Sequence, residues 1–203
     1  MFWIRLMKNI YFQIAETDTP RPGLVLATVT GTSGSTPRKP GSSALFQDGR
    51  LLAGSVGGGV IEGRVQDYAR NCSDGCESAL LHFSLDKETS EPEEAVCGGT
   101  ITILVDSNPQ AHLTAFSEME QSIGSGQPGI LVTKIIPWNE TSVMIKRCWT
   151  TGVGEIPISC SSDTDLSVEV RGILEAEGRV GYREIDVPVP GEKQQAKIFL
   201  EPV

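Results

Sequence analysis

The chain has 203 residues, 39% of them hydrophobic and 21% charged, with 26 acidic side chains against 17 Lys and Arg and a net charge of -9. That length buries enough surface to fold without disulfide or metal staples, and the composition is that of a soluble globular protein. The acidic balance excludes a general polyanion binder such as a DNA-coating protein, but not a small anion held by local donors.

No apolar run approaches the roughly 20 residues that span a bilayer, so neither nucleic acid nor membrane is an expected partner. Arg5 and Lys8 interrupt the apolar N-terminus where a signal peptide would need its core. Five cysteines without paired spacing do not resemble a secreted disulfide framework. The expectation is a reduced, cytoplasmic protein.

Residues 2–16 place Trp3, Leu6, Met7, Ile10, Tyr11 and Ile14 on one helical face, and the Pro-rich stretch 17–23 ends it. Leu24–Thr30 alternates and is β-branched, predicting a strand that runs into the turn-forming stretch Gly31–Gly41. Ser43–Phe46 and Arg50–Gly54 flank an Asp48-Gly49 hairpin signal. Gly57-Gly58-Gly59 then opens a helix predicted from Val60 to about Ala69, and Ala79–Leu85 reads as a strand. Residues 86–94 are acidic and unpatterned, a solvated connection.

After Cys97-Gly98-Gly99 comes a strand over Thr100–Val105, a helix over His112–Ile123, and a strand over Ile130–Ile136 with a hairpin partner in Ser142–Trp149. A helix over Asp163–Gly172 and strands near Arg179–Val187 and Ala196–Leu200 complete the pattern. Antiparallel hairpins mixed with a few helices predict an α+β (mixed α/β) fold with a mixed or antiparallel sheet. The expected organisation is a motif-bearing region over 1–106 and a smaller α+β extension over 107–203, packed as one domain with the first.

Three Gly/Ser-rich segments each adjoin a predicted strand: Gly31–Gly41, Gly54–Gly59 and Cys97–Gly99. Glycine lets backbone N–H groups approach a ligand, and a helix N-terminus adds partial positive charge. The Gly57, Gly58 and Gly59 amides could therefore meet an anion, and Arg38 could pair with a phosphate bidentately. The plainer reading is tight turns and close strand crossings. The run Gly57–Gly63 is one residue too long for G-x-G-x-x-G and follows a hairpin, and no P-loop is present, so a Rossmann or P-loop assignment fails.

Glu62 falls in the first turn of its helix, where the dipole favours a carboxylate, or else it lines the same rim as the glycines. Cys97, beside two glycines at a strand start, is either a buried structural residue or a thiolate suited to a soft metal. Cys72 and Cys76 lack a zinc site's spacing and second pair, and Cys148 and Cys160 read as structural. His82 and His112 have no evident Ser or Cys partner, which disfavours a His-based metal cluster or triad.

Taken in order, the blocks Ala27–Gly41 (ATVTGTSGSTPRKPG), Asp48–Glu62 (DGRLLAGSVGGGVIE) and Cys97–Val105 (CGGTITILV) resemble the XdhC/CoxI family, accessory proteins of molybdenum hydroxylases such as xanthine dehydrogenase. The resemblance is dense over about 24–106 and extends to Ile198–Pro202. It implies a cytoplasmic factor that binds the molybdenum cofactor as cargo and helps insert it into a xanthine dehydrogenase-like apo-enzyme, with no catalytic residues of its own. In that light the cofactor-binding set is Ser35, Arg38, Ser55, Gly57, Gly58, Gly59, Glu62, Cys97, Gly98 and Gly99, with Cys97 the metal ligand.

Many relatives have a cysteine after the paired glycines where this chain has Val60, which leaves a two-thiol mechanism without its second sulfur. Members usually continue into a Rossmann-type domain, for which this chain carries no residues after Val203. Two other functions fit the residues: a thiol-dependent redox or sulfur-transfer enzyme working through Cys97, and a module that forms a homodimer or docks a partner.

Overall fold

The computed structural model describes residues 9–16, 19–72, 75–85, 98–151, 181–189 and 195–203. In chain order the elements are α1 (Ile10–Ala15), β1 (Leu24–Gly34), β2 (Ser43–Gln47), β3 (Arg50–Gly54), α2 (Gly59–Asn71), β4 (Ala79–Ser84) and β5 (Gly99–Asp106). A short 3-10 turn over Pro109–His112 leads into α3 (Leu113–Gly124), followed by β6 (Ile130–Pro137), β7 (Val143–Thr150), β8 (Arg183–Pro188) and β9 (Gln195–Pro202). The expected helix over 163–172 lies outside the described residues. Two sheets with helices make the fold α+β, as the patterning predicts.

The chain divides into two compact units. One comprises Arg21–Pro109 with Trp138–Val143, and the other Met1–Pro20, Gln110–Pro137 and Met144–Val203. The first holds a five-stranded sheet in the order β3-β2-β1-β5-β4, antiparallel at every pairing. Alternate residues Val25, Ala27 and Val29, with Ala44, Phe46, Ile101, Ile103 and Val105, form one buried face. Ile61, Val65 and Ala69, spaced four apart, bring one stripe of α2 onto it. The β2–β3 turn has Asp48 at φ 50° and Gly49 at φ 70°, the left-handed pair that a two-residue hairpin demands.

β1 runs four residues beyond its predicted end. Gly31, Thr32, Ser33 and Gly34 pair with Thr102, Ile101, Thr100 and Gly99, after a bulge between Val29 and Gly31. Apart from Thr32 these residues have little intrinsic strand preference, and the ladder to β5 imposes the extended backbone.

Cysteine spacing misled in one respect. Cys72 and Cys76 are joined by a disulfide with Cα atoms 4.5 Å apart, and Cys148 is disulfide-bonded as well. A turn brings the first pair together: Gly75 at φ 89° donates its N–H to the Cys72 carbonyl at 3.0 Å. Counting cysteines cannot register such a reversal. A bridge at sequence separation 4 closes a very small loop and contributes only about 2 kcal/mol in the chain-entropy account.

The second unit holds the sheet β7-β6-β9-β8. Its core cluster is Val132, Cys148, Val187, Ala196, Ile198 and Leu200. Tyr11 on α1 stacks on Phe116 of α3 with ring centroids 5.2 Å apart, and the Arg147 guanidinium of β7 lies 5.7 Å over the same ring. The Tyr11 hydroxyl donates to Glu201 Oε2 on β9 at 2.6 Å, within buried surroundings. Tyr11→Phe should therefore lower stability by about 1–3 kcal/mol, the range for losing a buried hydrogen bond to a carboxyl group, in urea unfolding at neutral pH. No helix among the described residues is long and apolar enough to cross a membrane.

Candidate functional site

The extended pairing of β1 with β5 joins the first glycine block to the third. Gly34 faces Gly99 in the ladder, and Ser35 N–H donates to the Gly98 carbonyl at 3.3 Å. The fit is close. A Cβ on Gly99 would lie 2.4 Å from Ser33 O and 2.6 Å from Ser35 O, and one on Gly34 would lie 2.7 Å from Gly98 O. Gly34 also sits at φ 70°, a conformation L side chains rarely adopt.

The second block meets the first through a proline. A Cβ on Gly57 would stand 3.4 Å from Pro37 Cγ, beside Ile61 at 3.2 Å. Arg38, the next residue, is exposed, and Lys39 follows it. Neither cation has an ion-pair partner among the described residues. Gly58 and Gly98 border open space, since a Cβ at either would meet nothing within 4 Å.

Glu62 folds back on the turn that precedes its own helix. Its Oε2 accepts from Ser55 Oγ at 2.7 Å and from Val56 N–H at 3.3 Å, while Gly57 N–H donates to Ser55 Oγ at 3.3 Å. Both sequence readings of Glu62 thus had a part of the geometry. It lies in the first turn of α2 and serves the glycine turn as a clamp. The Val56 and Gly57 amides are committed inside this clamp, so the backbone open to a ligand is that of Gly58 and Gly59. Glu62→Ala should lower stability by about 1 kcal/mol, as lost caps do, and should leave Ser55 and Val56 without their shared acceptor. Thermal unfolding beside a Glu62→Gln control checks it.

Of the expected binding residues, Ser35, Gly98 and Gly99 meet at one strand end, Ser55, Gly57 and Glu62 form the clamp, and Pro37 links the two groups. Gly58 and Gly59 open α2. Arg38 sits one residue from the link. Cys97, the expected metal ligand, lies outside the described residues. Among the described residues no group of three or more His, Cys, Asp or Glu side chains gathers. Val60, where many relatives were expected to carry cysteine, is 43% exposed on the first turn of α2. Gly34 and Pro37 were missing from the expected set. Their signal was present in the motif, but their partners are distant in sequence.

Comparisons with known proteins bear on the same stretch. Residues 21–84 match the XdhC and CoxI family. An uncharacterized protein, YqeB, of Escherichia coli (strain K12) is 23% identical over 97 residues, covering 48% of this chain and 18% of that protein. A crystal structure described as a xanthine dehydrogenase from Bacillus halodurans has a TM-score of 0.55 at 23% identity, covering 72% of this chain and 42% of that one. This chain spans less than half the length of both proteins, and at that identity the second likeness speaks for the fold alone. The stretch that matches the XdhC and CoxI family, residues 21–84, carries β1 to β4 and two of the three converging glycine turns.

Proposed function

We propose that this chain is an accessory factor of a molybdenum hydroxylase, holding the molybdenum cofactor as cargo and helping to insert it into the apo-enzyme. Its site lies in the motif-bearing region 1–106. The observation that supports the reading best is the convergence of the first glycine turn on both of the others, Gly34 against Gly98 and Gly99, and Pro37 against Gly57. The family of residues 21–84 agrees with it.

The chemistry of the donors suits such a cargo. A phosphate on the pterin would take the Arg38 guanidinium, exposed and without an ion-pair partner among the described residues, together with backbone N–H groups of Gly58 and Gly59 at the start of α2. Ser35 and Gly98, exposed at the neighbouring strand end, would supply further polar contact. Ser55 and Glu62 would hold the turn in shape, and Cys97 is the proposed thiolate for molybdenum. In this reading the recipient is a xanthine dehydrogenase-like apo-enzyme of the cytoplasm, and the factor works as a homodimer.

The test is copurification with a molybdenum cofactor source, followed by metal analysis and pterin fluorescence. Wild-type protein should retain both. Arg38→Ala should retain about tenfold less, the equivalent of one charge-assisted hydrogen-bonding partner. Cys97→Ala should lose the metal preferentially. Retention no higher in wild type than in Cys97→Ala would remove the proposal.

A further inference from the structure

We propose that Cys72–Cys76 is a reversible redox site, opened by a low-molecular-weight thiol such as glutathione and closed again by its disulfide, with the fold intact in both states. The proposal is independent of cofactor binding. It rests first on how little the turn needs the bridge. Cys72 caps α2 through its own N–H to the Ala69 carbonyl, and Gly75 N–H bonds to the Cys72 carbonyl at 3.0 Å. The Tyr68 hydroxyl ties down the Glu77 carbonyl at 2.8 Å, so backbone on both sides is held by bonds that outlast the disulfide.

The second observation is a partner that only the reduced state can use. Cys72 Sγ lies 3.3 Å from the Tyr68 carbonyl oxygen, an acceptor to which a thiol S–H could donate and a bridged sulfur cannot. Access is unequal. Cys72 is 6% exposed, whereas Cys76 is half-buried between exposed Gly75 and exposed Glu77. An incoming thiolate therefore meets Cys76 Sγ first.

In that step the glutathione sulfur bonds to Cys76 Sγ and the S–S bond breaks. Its electron pair goes to Cys72 Sγ, which takes a proton and faces the Tyr68 carbonyl. A second glutathione thiolate attacks the glutathione sulfur of the mixed disulfide, releasing Cys76 as a thiolate that is then protonated. Two thiols become one glutathione disulfide, and the protein gains two electrons and two protons. Cys72 stands at the C-terminal end of α2, where the helix dipole disfavours a thiolate. Catalytic dithiols sit at the opposite end of a helix, so this pair is a switch and not a turnover centre.

The experiment uses the full chain in mixtures of reduced and oxidised glutathione. Free and bridged cysteines are alkylated with different reagents and mapped by peptide mass, which separates Cys72 and Cys76 from the bridge at Cys148. The expected result is that both cysteines open and close together, reversibly, at unchanged far-UV circular dichroism. Their rate of reduction should rise in proportion to thiol concentration. A rate that plateaus at the global unfolding rate measured by hydrogen exchange, or loss of the far-UV signal when this pair alone is reduced, would overturn the proposal. The Cys72→Ser, Cys76→Ser double variant should keep the wild-type spectrum, and its failure to fold would count against the proposal equally.

Discussion

Gly99→Ala should destabilise the protein by about 3 kcal/mol, while Gly98→Ala, one residue earlier, should stay within about 0.5 kcal/mol of wild type. Both add a single methyl group. On Gly99 that methyl would stand 2.4 Å from Ser33 O and 2.6 Å from Ser35 O, so backbone must move, whereas on Gly98 it would meet nothing within 4 Å. Gly34→Ala should fall with Gly99→Ala, since overlap with Gly98 O at 2.7 Å adds to the cost of a side chain at φ 70°. Gly58→Ala, at φ 71° with open space around it, isolates the conformational part at about 1–2 kcal/mol. For a chain of this size 3 kcal/mol lowers Tm by about 6–12 °C. Equal effects at Gly98 and Gly99 in urea unfolding would mean that the first and third glycine turns are not in contact.

Between about pH 4.5 and 7, Glu201 should take about 3 kcal/mol from the stability of the fold, and Glu201→Gln should abolish that component. Glu201 is buried on β9, and loss of hydration pushes its carboxyl up from 4.5 to about 7, against the opposing pull of the Tyr11 hydroxyl and the Arg147 guanidinium. Tyr182 feels the same carboxylate, and its phenol is raised by burial and then by Glu201. An acid with a raised folded-state pKa binds more protons folded than unfolded across that window. Stability therefore declines as pH rises through it, and is fully present only below the unfolded value. The size follows from the shift at 1.36 kcal/mol per unit. Urea unfolding of both proteins at several pH values gives the difference directly. Parallel curves for wild type and Glu201→Gln would show that Glu201 stays ionised, paired with Arg147.

Much of the local architecture was legible without coordinates. The β2–β3 hairpin was announced by Asp48-Gly49, because two left-handed residues between apolar runs have few other uses. The helical pattern from Val60 to about Ala69 predicted α2, and the strands expected over Ala79–Leu85 and Thr100–Val105 are β4 and β5 to within a residue or two. Those signals are local, each carried by residues that touch near neighbours. The three glycine blocks were legible too, as motifs in order, and they sufficed to point to the family.

What a single chain read in order could not supply was which distant residues meet. Extension of β1 to Gly34 depends on hydrogen bonds from β5, and the placement of Pro37 on Gly57 depends on how the loop after β1 returns over α2. Closure of Cys72 on Cys76 needed the turn at Gly75, and the raised carboxyl of Glu201 needed burial beside Tyr11 of α1 and Arg147 of β7. Sequence by itself determined element types, the α+β class and the motif blocks, because backbone propensity and apolar periodicity act over a few residues. Only the tertiary structure decided convergence, bridging and burial, because those depend on contacts between segments whose separation along the chain leaves no local trace.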